Sequence, residues 1–164
     1  MATTVVWWID PEENPSGLVY GTMAVGTVLA AESARRDTFP DTIGATVLIL
    51  CLYWVAHTYA GVTGGRLKTR ETLSARRLWE TLVREAAIIK GAALPIGVLL
   101  VLWATPVTLT TAVTAAMWTS AMLLGLIELV AALRSRLSAP RTALQVLIGS
   151  LLGAGVLLVR VLLH

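Results

Sequence analysis

Residues 42–61, TIGATVLILCLYWVAHTYAG, decide how this chain is read. They contain no Asp, Glu, Lys or Arg, and as a helix they are long enough to cross a bilayer. Thr46, Tyr53 and His57 return to one helical face, because spacings of seven and then four residues complete nearly whole turns. Hydrocarbon offers such a polar stripe no hydrogen-bond partner, so it must face protein or a water-filled cavity. The stretch therefore implies a bundle of membrane helices with a polar interior.

Composition agrees. The chain has 164 residues, of which 56% are hydrophobic and only 14% charged, and its mean hydropathy is +0.75. A soluble domain of this size needs far more polar surface. The net charge of +3 does not suggest nucleic acid, since the arginines lie between apolar segments without interleaved aromatics. Cys51 is the single cysteine, which excludes a disulfide framework within the chain. It reads as a small buried hydrophobe. The opening MATTVVWWIDPEENPSG lacks the basic and apolar regions of a signal peptide, so no cleavage is expected.

Working outward, Trp7 and Trp8 suit a membrane interface, and the prolines at 11 and 15 block a helix running through the acidic run. A first span is expected over 17–34, with Gly17 and Gly21 at the spacing that lets helix backbones approach closely. The second span is 42–60. After a glycine-rich, basic segment at 61–68, residues 71–89 read as an amphipathic helix lying on the membrane surface. Leu78, Trp79, Leu82, Val83 and Ala86 occupy one side of it, and Arg76, Arg77, Glu80 and Arg84 largely the other. A third span at 86–104 contains Pro95, which frees the carbonyl of Gly91 and predicts a kink. A tight hairpin at 105–107 leads to a fourth span at 108–133, and a fifth follows at 142–163. No second domain or internal repeat is evident. The fold class expected is an all-α, polytopic helix bundle of about five spans plus one cytoplasmic amphipathic helix.

Basic residues set the expected orientation. Arg66, Lys68, Arg70, Arg76, Arg77 and Arg84 follow the second span and Arg134, Arg136 and Arg141 the fourth, whereas the hairpin after the third has none. The positive-inside rule then places the chain in the inner (cytoplasmic) membrane with its N-terminus in the cytoplasm and its C-terminus outside. Arg35 and Arg36, after the first span, fall on the outer side in this scheme.

In this arrangement His57, Lys90 and Glu128 lie at similar depth near the cytoplasmic boundary. An imidazole beside a carboxylate and an ammonium could relay protons or coordinate a cation. The plainer reading is a polar lock, with Lys90 and Glu128 snorkelling to the cytoplasm. Glu32 and Arg160 stand at the outer ends of the first and fifth spans and can pair there. Tyr20, Tyr53 and Tyr59 serve equally as interfacial anchors or site residues. A zinc or copper site needs more than one internal histidine and one cysteine. Neither a hydrolase elbow, a metalloprotease helix, nor a phosphate-cradling loop occurs. No metal or other cofactor is expected, and an enzyme is the less favoured class.

LVYGT at 18–22, TVLILCLYWVAHTYA at 46–60 and VREAAIIKGAALP at 83–95 resemble a group of small integral membrane proteins of high-GC actinobacteria, which carry a YGT, a WxAHxY and an RE before a proline. The resemblance covers the first 95 residues or so and brings no activity with it. It implies that Tyr20, Gly21, Thr22, Trp54, His57, Tyr59, Arg84, Glu85 and Pro95 are the positions to follow. The function expected is passage of protons, small cations or a small solute through a polar cleft around His57. The alternative is a non-transporting structural or assembly partner of a larger membrane complex. Besides the lipid bilayer, a homo-oligomer or a membrane-protein partner is expected, and no nucleic acid.

Overall fold

The first helix begins where its sequence says it can. Asn14 accepts the Gly17 amide at 3.0 Å, and Pro15 fills the first helical position, where a missing N–H costs nothing. The computed structural model describes residues 14–32, 38–69, 72, 74–135 and 138–163, and among them the chain forms helices α1 (Pro15–Glu32), α2 (Phe39–Thr69), α3 (Ala75–Arg84), α4 (Ala87–Trp103), α5 (Leu109–Arg134) and α6 (Ala139–Leu163).

Four stretches are long and apolar enough to cross a membrane: Phe39–Leu67, Ala75–Trp103, Leu109–Arg134 and Ala139–Leu162. Pro15–Ala31 is a shorter apolar helix. The fold is an all-α transmembrane bundle, as its composition implies. Its outward surface is apolar, with Leu48, Leu52, Met122, Leu151 and Val161 all more than 60% exposed, as suits contact with lipid tails.

The short helix is the centre of the bundle. α1 packs on α2, α4, α5 and α6, and Thr22, Val25, Leu29 and Ala30 are buried. Lipid tails are as apolar as leucine, so membrane helices associate through close packing rather than hydrophobic expulsion. Glycines supply the closeness. A Cβ on Gly21 would run into the Ile88 backbone carbonyl, and one on Gly91 into that of Leu18. Gly17 meets the Ala87 methyl, 2.8 Å from the position of a Cβ. α1 and α4 therefore run parallel with their backbones in contact. On the far side Gly149 and Gly153 of α6 sit against Glu128 and Ala121 of α5, and Gly26 of α1 against Ser120 and Val156.

Three segments depart from the sequence reading. α2 continues past residue 60 to Thr69; its glycines are poor helix formers, but no proline interrupts them, Val62 is buried, and Gly61 lies beside Thr81 of α3. At 31 residues the helix is about 46 Å long, so its last turns extend past the hydrocarbon unless it tilts. The amphipathic helix is shorter than expected and ends at Arg84. There the chain passes through a tight turn, with Ile88 and Ile89 amides bonding the Glu85 and Ala86 carbonyls at 3.0 Å, an i to i+3 pattern. Cys51 is exposed on the lipid-facing side of α2 rather than buried. The hairpin after α4 is as tight as expected, and Thr108 caps α5 by accepting the Thr111 amide at 3.3 Å.

Candidate functional site

The inner face of α2 reads, from one end, Thr42, Thr46, Leu50, Tyr53 and His57. Thr42, Thr46 and Leu50 are buried, and the Thr46 hydroxyl donates to its own helix at Thr42 O, 2.7 Å away. The stripe is therefore turned inward, as expected, but Leu50 interrupts it.

At its far end His57 meets a carboxylate. The imidazole Nε2 lies 3.5 Å from Glu85 Oε2, and the Glu85 side chain is only 9% exposed against 34% for His57. Glu85 occupies the turn between α3 and α4, which points it into the bundle beside buried Ala87 and Ile88. A charge there requires partners. The Asn14 amide donates to Oε2 at 2.8 Å and is itself steadied by the Ser16 hydroxyl, which donates to Asn14 Oδ1. The Arg84 guanidinium Nε stands 3.7 Å from Oε1. One carboxylate thus joins the start of α1, the inner face of α2 and the α3–α4 junction.

Two phenols flank the imidazole. The Tyr20 ring of α1 lies 5.3 Å from it at a tilt of 49°, and the Tyr53 ring lies 6.1 Å from it at 23°. Beside them the Trp54 indole donates to the Leu82 carbonyl at 3.1 Å, holding α3 against α2. His57, Tyr53, Tyr20, Arg84 and Glu85 are therefore brought together.

Other candidates lie elsewhere. Among the described residues His57 has Glu85, Tyr20 and Tyr53 as ion-pair and ring partners. Glu128 stands against Gly149 of α6. The face that Lys90 shares with Ala93 and Gly97 opens outward, for Ala93 is exposed and Gly97 has no neighbour within 4 Å of a Cβ position. Arg160 donates to Met117 Sδ at 3.3 Å. The Glu32 side chain lies outside the described residues, so its pairing with Arg160 does too. Tyr59 is 64% exposed and belongs to the lipid-facing surface.

Sequence reasoning missed Asn14 entirely. Its signal was faint, a helix-capping amide directly before Pro15. Among the described residues no group of His, Cys, Asp and Glu has the makings of a metal site. Two outward grooves, one of about 420 Å³ along Ala93, Gly97 and Val101 and one of about 510 Å³ between α5 and α6, are apolar, and His57 lines neither. Beneath the site Val25, Leu50, Ile88, Ala92 and Met117 form a packed apolar core. No model of a known protein family, no curated protein and no solved structure matches the chain.

Proposed function

We propose that this membrane protein takes up a proton or a small cation at the His57–Glu85 pair and passes it along the inner face of α2. The observation that carries the reading is the pairing itself: a buried carboxylate 3.5 Å from a partly exposed imidazole. Imidazole is the side chain whose charge ordinarily changes between pH 5 and 8. The exposed edge of His57 faces outward, Glu85 stands 3.5 Å from its Nε2, and Tyr53 is the next polar group inward. Asn14 and Arg84 hold the carboxylate in place, so both act as positioning residues.

The end of the bundle bearing this site is, in this reading, the cytoplasmic one. Arg66, Arg76, Arg77, Arg84, Arg134 and Arg141 all belong to segments at that end, which supports an N-terminus inside, a C-terminus outside and residence in the inner membrane.

One observation favours the rival role, that of a structural or assembly subunit without transport. Among the described residues the core below Tyr53 is closely packed, and Glu85 ties three segments together as a lock would. Proton flux into proteoliposomes under an imposed potential separates the two. Conduction supports the relay; the absence of flux above protein-free vesicles supports the lock.

A further inference from the structure

One side of the α5–α6 pair is cut by a long apolar cleft. Two grooves, of about 510 Å³ and about 720 Å³, share Leu129, Val146 and Ser150 in their linings, so they are parts of one feature. It runs from Trp118 to Leu133 along α5, a rise of about 22 Å. Small residues make it. Gly149 and Gly153 let the two helices close up, and Gly125, Ala143 and Ala154 lie among bulkier residues in the lining. Half of a hydrocarbon core about 30 Å thick is shorter than this cleft. A lipid tail entering at the helix ends therefore fits in it through the whole of one leaflet.

The end near Leu133 is basic. Arg134 closes α5 directly after Leu133, and Arg141 lies in the first turn of α6 directly before Thr142, another lining residue. Both arginines are exposed, and among the described residues neither has a carboxylate within ion-pair distance. Glu128 is the single acid of the two helices. It lies about 9 Å deeper than Arg134 and packs against Gly149 in the seam. The charge selects the occupant. A second copy shares the membrane orientation of the first, so it would bring its own arginine-bearing helix ends to the same level, where like charges repel. An anionic phospholipid supplies an acyl chain for the cleft and a phosphate for the guanidinium groups, whose flexible stems reach headgroup level.

We propose that α5 and α6 hold one anionic phospholipid, with an acyl chain in this cleft and its phosphate at Arg134 and Arg141. The site is separate from the His57–Glu85 pair and does not depend on what that pair does. An arginine near an anionic headgroup contributes roughly fivefold to its retention, reduced by salt.

The test is native mass spectrometry of the full chain, purified in detergent and offered equal amounts of phosphatidylglycerol and phosphatidylcholine with the same acyl chains. Wild type should retain the anionic lipid several-fold over the zwitterionic one, at one lipid per chain. Arg134→Gln with Arg141→Gln should lower that preference on the order of tenfold, and the paired lysine replacements should keep it. Filling the cleft with Ala143→Trp should reduce retention of both lipids. Leu144→Trp, on the neighbouring exposed surface, should not, and Ala143→Leu is a smaller plug for use if the tryptophan disturbs folding. Equal retention of the two lipids by wild type, or a preference that survives in the glutamine pair, would overturn the proposal. So would retention that neither Ala143 variant changes. A dimer that Ala143→Trp dissociates would assign the cleft to a second copy and overturn it as well.

Discussion

The Thr22 hydroxyl of α1 stands 3.0 Å from the Gly91 carbonyl oxygen of α4, the acceptor that Pro95 leaves without its helical N–H. The same hydroxyl lies 2.8 Å from Leu18 O, so its one proton is shared between its own helix and its neighbour. Removing it strands a buried acceptor, and Thr22→Val should destabilise the bundle by about 1–3 kcal/mol. In a Pro95→Ala background the new N–H can reach Gly91, and the valine should cost distinctly less. A thermal-denaturation cycle in detergent measures the coupling; additive effects would show that Thr22 does not serve the carbonyl freed by Pro95.

The glycines divide into two classes that an alanine scan separates. Gly21→Ala and Gly91→Ala drive a Cβ into a backbone carbonyl of the partner helix and should each cost a few kcal/mol through overpacking. Gly97→Ala meets open space and should leave stability unchanged or raise it slightly. Similar losses at all three positions would contradict the backbone contact of α1 with α4.

Much of this architecture is legible in sequence because a membrane span is a one-dimensional signal. Hydropathy locates α2, α4, α5 and α6, and the Gly17 and Gly21 spacing identifies α1 as a close-packing helix. Partners are another matter. Pro95 announces an unpaired carbonyl at Gly91, yet nothing local says that the donor is Thr22, some seventy residues earlier. His57 stands out as a polar residue in a span, but depth alone suggests Lys90 and Glu128 as companions. Depth fixes position along the membrane normal and leaves the order of helices around the bundle open. Glu85 comes to attention only through the RE pattern, because a carboxylate at the end of an amphipathic helix looks like a surface charge until the turn after Arg84 points it inward. With that turn in place, Tyr20, Gly21, Thr22, Trp54, His57, Arg84, Glu85 and Pro95 all lie on or beside the contact of α1, α2 and α4.

The orientation proposed from the arginines is checked by single cysteines on a Cys51→Ser background. Cysteines at exposed Ser74 and Ser138 should react only with reagent on the cytoplasmic side. One at exposed Pro106 should react only from outside. Labelling of Ser74→Cys from outside would invert the topology.

If charge moves along α2, Leu50 is the obstacle. It lies between Tyr53 and Thr46 on the inner face and is 6% exposed, whereas Leu52 faces outward at 61%. Leu50→Thr extends the hydroxyl stripe across the gap and should raise proton leak several-fold in proteoliposomes. Leu52→Thr should not. Equal leak in the two variants would remove α2 as the route.

The most direct measurement of the central claim is proton flux between pH 5 and 8 for wild type, His57→Gln and Glu85→Gln, with thermal stability recorded alongside. Glutamine at position 57 offers an amide N–H towards Glu85 Oε2, so folding should survive while flux is abolished or loses its pH dependence. Glu85→Gln should also suppress flux, since an amide cannot stabilise an imidazolium as a carboxylate does. Flux in His57→Gln that keeps the wild-type magnitude and pH profile would contradict a relay through the His57–Glu85 pair.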